Sequence, residues 1–558
     1  MKTRKTFFIF LAVFTFLNSS AVFAESDRSI ETVLGSIPVQ HGGRIKPFES
    51  FARENVLVIT GKASFEKISP VVLIWRWIGR PDDWGSKLLL PVENPELQKI
   101  FSNDLTNRRI APNLVLADRN FLLKVQSVQA KQEKKETLSE FEKKELQLYN
   151  RARLFEEISR GRMPGFIPHP DNPRASWLPL EGISGAEGKE ILKNFFSESA
   201  VEKVQNSLLI LKTRVNEDLK LAATSADFFK ISLNELMQSR DIVLDELPFK
   251  LELFYLHAKP FHIAWLLYLA GIIFWVIPDK KNRWPWTALS FYAAGFLMHT
   301  SGFALRCLIA GRPPVTNMYE SVIWVSWAVI LFSLILFYFY RSAWIPVIAS
   351  SVTVFALLIG ESLPTVLDQS ITPLVPVLRN NFWLTIHVLT ITLGYGAFLL
   401  NWGIAHVLLF HLAFVPSRKN EARHLTEFLY RTLQIGIILL AAGTILGGVW
   451  ASYSWGRFWG WDPKETWALI ALLAYLAVLH GRTAGWLDSF QVAFYSAFCF
   501  LCVLMAWYGV NFVLATGLHS YGFGGGGLPY VLTIVAFDAA LLCFFYNRFK
   551  IKQNRVKI

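Results

Sequence analysis

The sequence predicts an all-α polytopic membrane protein of about nine transmembrane helices, preceded by a mainly helical extracytoplasmic N-terminal domain. Three observations predict it. The 558 residues are 53% hydrophobic and only 18% charged, more apolar than soluble domains. The polarity is uneven: the chain reads as globular sequence up to about Lys259, and from Pro260 it is dominated by apolar runs of roughly 20 residues, enough to cross a bilayer as helices. The cations of the second part gather in alternate short loops, as the positive-inside rule requires. That placement explains the formal net charge of +13 without nucleic acid, which is excluded as a partner.

Taken in order, residues 1–24 read as a signal peptide or signal anchor. Lys2, Arg4 and Lys5 form the charged start, Phe7 to Leu17 the apolar core, and Val22-Phe-Ala24 the small-residue cleavage region. Residues 25–259 are then an extracytoplasmic domain. His41 beside Gly42-Gly43 reads as a turn residue. From Lys131 to Arg160 the residues Leu138, Phe141, Leu148, Ala152 and Phe155 fall near helical spacing, so this stretch is expected to be one amphipathic helix with a solvated Lys/Glu face. Met163 to Pro173 is a Pro/Gly-rich loop, and Glu190 to about Leu219 is a further helix. All four cysteines, Cys307, Cys499, Cys502 and Cys543, lie in apolar runs, so the N-terminal domain has no disulfide framework. Cys499 and Cys502 have CxxC spacing but read as small buried membrane residues, since thiolates are costly in hydrocarbon.

The membrane domain, 260–550, is read as spans at about 260–277, 287–309, 321–340, 344–361, 382–411, 432–450, 466–481, 488–513 and 528–547. Starting outside, nine crossings end inside. Lys280, Lys281 and Arg283, then Arg341, then Arg418, Lys419, Arg423 and Arg431, and finally the tail from Arg548 to Lys557 fall on the predicted inner side. The C-terminus is therefore expected in the cytoplasm.

The loop between the sixth and seventh spans is the chemical centre of the reading. It runs Trp455-Gly-Arg-Phe-Trp459-Gly-Trp461-Asp462-Pro-Lys464-Glu465-Thr-Trp467, with Trp450 just before it. An aromatic belt at the membrane boundary is the plain alternative. Against it, the indoles crowd one loop, Gly456 and Gly460 free the backbone, and Asp462, Lys464 and Glu465 add fixed charge. An apolar platform with charged corners suits a planar ligand carrying carboxylates, and heme fits that description. Two histidines are predicted at the same outer face: His387 at the start of the fifth span and His519 in the Gly-rich loop after the eighth. Paired neutral imidazoles hold heme iron well.

The string from Trp455 to Trp467 resembles the tryptophan-rich "WWD" signature of heme-handling cytochrome c assembly proteins. Its Asp-Pro-Lys-Glu ending is closer to the CcsA (ResC) branch of System II than to CcmC or CcmF of System I. The stretch Ile37 to Arg53 looks like the segment ahead of the CcsA half in fused CcsB–CcsA proteins. The resemblance implies heme b as bound ligand and substrate, contacted by Trp455, Trp459, Trp461, Asp462, Lys464, Glu465 and Trp467. It implies His387 and His519 as external iron ligands, and His480, near the inner end of the seventh span, as a transit ligand within the membrane. A second membrane histidine is supplied by the CcsB half of fused members. Here His299 and His262 are the substitutes within the chain, and a separate CcsB/ResB-like membrane protein is the other source. Arg306, Arg312, Arg379, Arg457 and Lys464 lie on or near the outer face and are candidates to pair with heme propionates.

The implied function is heme delivery across a bacterial inner membrane, followed by covalent attachment to the CxxCH cysteines of apocytochrome c. The implied partners are apocytochrome c, the CcsB-like protein and a thioredoxin-like thiol reductant. Positioning is the chain's share of the work, and no activated nucleophile is expected, because the substrate brings its own. A heme exporter or chaperone without ligation activity is the alternative. A polytopic transporter or sensor whose tryptophans merely line the interface ranks third.

Overall fold

A computed structural model describes residues 30–102, 104–134, 136–172, 175–184, 190, 192–277, 284–373, 381–415, 417–514 and 527–556. The expected signal segment lies outside them. The chain divides into two compact units, one ending at His257 and the other beginning at Ala258.

The N-terminal unit is mainly helical, as expected, and carries a small sheet that the sequence reading missed. Strands Pro38–His41 and Arg44–Pro47 form a hairpin, and Gly165–Ile167 with Leu178–Pro179 extend the sheet on the Pro38–His41 side. His41 does sit at the turn, paired across from Arg44, with Gly42 at φ 59° and Gly43 at φ 80°. Two successive positive φ values demand glycine-like residues, which is why the hairpin closes there. The hairpin leads straight into helix Phe48–Thr60, whose buried face packs Phe48 and Phe51 into an aromatic core with Trp75, Phe166 and Phe229. The basic residues of this opening stretch are used internally. Arg44 forks onto Glu252 at 2.6 and 2.7 Å, Lys46 pairs with Glu54, and Arg53 pairs with Glu49 at 2.6 Å.

The single helix expected from Lys131 to Arg160 is two. One spans Arg119–Glu133, and the next, Glu140–Ser159, starts at a capping box in which Ser139 and Glu142 each satisfy the other's backbone N–H. Such a cap fixes a start more strongly than apolar spacing does. The second helix buries Leu148, Ala152 and Phe155 as the spacing predicted. Helix Glu198–Glu217 lies within the predicted 190–219 stretch.

The other unit holds nine helices long and apolar enough to cross a membrane among the described residues, and they match the nine predicted runs. We label them α1 (Pro260–Val276), α2 (Trp284–Ala310), α3 (Met318–Tyr340), α4 (Trp344–Ser362), α5 (Leu389–Phe414), α6 (Lys419–Trp455), α7 (Pro463–Thr483), α8 (Ser489–Leu504) and α9 (Leu528–Val556). The helical stretch that contains the first apolar window runs from Glu246 to Val276, and Lys259 at φ 43° breaks it ahead of α1. The chain is a multi-pass membrane protein. α6 has 37 residues, or about 55 Å at 1.5 Å per residue, against a hydrocarbon core of about 30 Å. Its polar first turns account for the excess over the predicted span.

α5 is the axis of this unit. Of its apolar window 61% is buried, the largest share of the nine, and it packs on α3, α4, α6, α8 and α9. Hydrocarbon supplies no hydrophobic drive between helices, so close backbone approach must hold them together. Glycines provide it: a Cβ on Gly396 would stand 2.5 Å from Ala328 on α3, and one on Gly443 of α6 would stand 2.7 Å from Ile391 on α5. Cys499 is buried and Cys502 half-buried, both unbridged, in keeping with a packing role.

Candidate functional site

A cavity of about 460 Å³ opens at one end of the membrane unit, within the range of small-molecule sites. Its walls come from segments distant in sequence. These are the turn before α3, residues 366–373 after α4, the start of α5, the last turns of α6, the tryptophan loop, the start of α7 and the segment that follows α8. His387, Trp450, Trp455, Trp459, Lys464 and Glu465 all line it. The sequence-predicted convergence of the tryptophan loop with His387 is therefore present.

His387 sits in a π-helical turn, Leu384–Val388, that leads into α5. Such turns carry an extra residue and redirect a side chain, which is why they recur at functional sites. The imidazole Nδ1 lies 2.9 Å from the carbonyl oxygen of Gly443 on α6. A carbonyl only accepts, so Nδ1 carries the hydrogen and Nε2 the lone pair. That tautomer suits a metal ligand oriented by an outer partner. The ring lies edge-on to Trp450, centroids 5.7 Å apart, and the absence of a side chain at Gly447 leaves room for it.

The tryptophan loop is braced by its own charges. Asp462 caps α7 by accepting the backbone N–H of Lys464 at 3.0 Å, while Glu465 accepts from the backbone of Asp462 at 3.1 Å and of Gly460 at 2.8 Å. Arg457 completes the brace at 3.1 Å from Glu465 and stacks over Trp455. Asp462 and Glu465 thus shape the loop from within. The indoles are sorted by this shape. Trp455 and Trp459 face the cavity. Trp461, at φ 57°, is 69% exposed and stands edge-on to Trp459, and Trp467 is half-buried outside the lining.

Other predicted residues fall elsewhere. His519 lies outside the described residues, as does Arg379. His480 is exposed on α7, sixteen positions from Lys464, which puts it about 24 Å further along the helix, at the opposite end. His299 is fully buried among Phe261, Phe303 and Tyr268, with Nε2 3.1 Å from the Ile323 carbonyl and Nδ1 3.4 Å from the Tyr268 hydroxyl. Both nitrogens are engaged, the pattern of a satisfied core histidine. His262 bonds Glu361 at 2.8 Å, beside Trp265, which donates to the same carboxylate. Arg306 is buried against Glu320 at 2.7 Å, and Arg312 reaches the other oxygen of Glu320 at 3.1 Å. Both arginines also donate to carbonyls of residues 369–372, and Glu320 accepts from Thr316. The triad pins two rim segments of the cavity together.

Several lining residues were not anticipated, among them Trp507, Asn511 and Tyr395. Trp507 and Asn511 sit on a second π-helical stretch, Met505–Leu514, and Tyr395 lies about two turns past the His387 segment. Trp507 donates to Ser321 at 2.9 Å, and Asn511 Oδ1 lies 3.3 Å from Lys464 Nζ. A tryptophan and an asparagine four positions apart in an apolar span were the only signal. A His406–Asp538 pair, 3.0 Å apart and joined by Trp402, ties α5 to α9 away from the cavity.

Comparison with known proteins gives concordant results. Residues 315–519 match the family model described as cytochrome C assembly protein. The chain is 31% identical over 506 residues to the protein NrfI of Wolinella succinogenes, an alignment covering 86% of this chain and 53% of that one. It thus spans about half the length of that relative. Cytochrome c biogenesis proteins CcsA are also similar: 32% identity with that of Chlorella vulgaris, covering 46% of this chain and 93% of the relative, and 34% with that of Prochlorococcus marinus, covering 46% and 91%.

Proposed function

The chain belongs to the CcsA family of cytochrome c assembly proteins, and on that premise we propose that it binds heme b in the 460 Å³ cavity and presents it to apocytochrome c for covalent attachment. The observation that carries the reading is the convergence of His387 with Trp450, Trp455 and Trp459 on one cavity. The indoles give the porphyrin an apolar bed. His387, set in one tautomer by Gly443, would hold the heme iron, with His519 as the second imidazole. Ligation by two imidazoles would fix the position of the macrocycle. Each cysteine thiol of the CxxCH segment then adds across a vinyl group: sulfur bonds to the carbon next to the ring, and the thiol hydrogen ends on the terminal carbon. No electron leaves the system, so the chain contributes orientation and exclusion of water. The cysteines must arrive reduced, which is the task of a thioredoxin-like partner.

His480, exposed at the far end of α7, receives heme on its way in. His299 and His262 are already engaged by neighbours, so a CcsB/ResB-like membrane protein docking beside α7 supplies the second transit ligand. The membrane is the bacterial inner membrane, with the cavity and N-terminal unit on the outer side and the C-terminus in the cytoplasm.

The test is the optical spectrum of the purified protein, alone and with a co-expressed CcsB-like chain. A bis-histidine heme spectrum is expected. His387→Ala and His519→Ala should each abolish holocytochrome formation from a co-expressed apocytochrome reporter, and added imidazole should restore it. Failure of imidazole to rescue either variant refutes axial ligation by these residues. Heme binding without reporter maturation, in a host lacking other synthases, points to the exporter or chaperone instead.

A further inference from the structure

Five cations were candidates to meet the carboxylates of the ligand, and the structure separates them. Arg306 and Arg312 are committed to Glu320, and Arg457 to Glu465. Arg379 lies outside the described residues. Lys464 alone remains, and it is the only side chain with a fixed positive charge among the described residues lining the cavity. Its Nζ meets a neutral acceptor, Asn511 Oδ1, at 3.3 Å. An ammonium has three N–H donors, so capacity is left over.

Of the carboxylates nearby, Asp462 acts on it through its charge, while the two that line the cavity are engaged elsewhere. Glu465 is taken by Arg457 and two backbone N–H groups, and Asp368, also in the lining, accepts from the backbone and hydroxyl of Ser370. Asp462 turns Oδ1 to the backbone of Lys464. The cavity that Lys464 lines is mainly apolar, with Trp450, Trp455, Trp459 and Trp507 in its wall. A cation held in such a setting is costly unless a counter-charge arrives. Asn511 is in turn held by its Nδ2 donating to the Trp507 carbonyl at 3.3 Å, so the amide keeps its oxygen toward the lysine.

We propose that Lys464, oriented by Asn511, is the carboxylate anchor of the cavity and binds a heme propionate, setting which edge of the porphyrin faces the apocytochrome. This rests on the heme reading above and extends it. The propionates and the vinyl groups occupy opposite edges of protoporphyrin. Holding a propionate at Lys464 therefore turns the reacting vinyls away from α7, so that the anchor determines presentation as well as affinity. Lys464 is a binding and positioning residue; the bond-making groups are the substrate's.

The test is a titration of the full-length protein in detergent with iron protoporphyrin IX and with its dimethyl ester, which has the same ring and vinyls and no carboxylates. The wild type is expected to prefer the diacid by about tenfold to a hundredfold, the span of one charged hydrogen bond. In Lys464→Met the preference, measured as a ratio so that micelle partitioning cancels, should fall to about unity. Lys464→Gln keeps size and hydrogen bonding. It should lose the preference equally while retaining the bis-histidine absorption band, which a merely misfolded site would lose. Lys464→Arg should keep part of the preference. If Lys464→Gln discriminates as the wild type does, the anchor is overturned and the heme reading stands. A wild type that binds neither porphyrin overturns both.

Discussion

Gly447 is the sharpest test of how the site is built. It lies on α6 one turn beyond Gly443, whose carbonyl orients His387. A Cβ at Gly447 would stand 2.6 Å from Cε1 of the His387 ring, 3.1 Å from Nδ1 and 3.3 Å from Nε2. Ordinary carbon contacts begin near 3.5 Å, so Gly447→Ala forces a retreat of about 0.9 Å by the ring or by α6. The ring is on the short π-helical turn and is bonded at 2.9 Å to α6 itself, so either movement stretches that bond. Two effects of opposite sign compete. Alanine favours helix over glycine by about 1 kcal/mol, while overpacking costs about 1–3 kcal/mol. Net destabilisation should be small, and the larger effect should fall on the ligand, where loss of an orienting partner lowers metal affinity about tenfold to a hundredfold. Heme titration with Soret detection, beside a thermal melt, separates the two. The expected outcome is a melting temperature near wild type with at least tenfold weaker binding, partly restored by imidazole. Wild-type affinity with an unchanged axial spectrum would refute the claim that the glycine exists to admit the imidazole.

Two further predictions address stability. Glu320→Gln leaves two buried guanidinium groups, Arg306 and Arg312, without their shared carboxylate. The expected loss is about 3–5 kcal/mol, seen as poor accumulation and an early melt; a melt within a degree or two of wild type would refute it. In the N-terminal unit, burial, aided by the charges of Lys46 and Arg44, lowers the pKa of His41 from 6.5 to about 4. The unfolded chain then binds more protons than the folded one between those values, so this contribution is full above pH 6.5 and is lost as pH falls toward 4. Because the ring is partly solvated, the loss is about 1–2 kcal/mol rather than the full amount. His41→Gln should flatten that part of the stability profile, and an unchanged slope would refute the assignment.

The sequence by itself determined the nine spans, the turn at His41-Gly42-Gly43 and the meeting of the tryptophan loop with His387, though not the strands that the turn joins. These follow from hydropathy, backbone freedom and the alternation of crossings, which are properties of local sequence. The partner of each charge was settled only in three dimensions. Asp462 and Glu465 read as ligand contacts in sequence, yet Asp462 Oδ1 and both oxygens of Glu465 are engaged by neighbours at the loop itself, the backbone and Arg457. Arg306 and Lys464 read alike as cations near the outer face. Glu320 claims the first, and Asn511, on a helix segment 47 positions away, leaves the second with charge to spare. The physical reason is that low dielectric makes an unpaired polar group expensive. Every buried charge therefore takes whichever partner the packing brings within about 3 Å, and that proximity is set by the helix bundle, where spacing along the chain has no say.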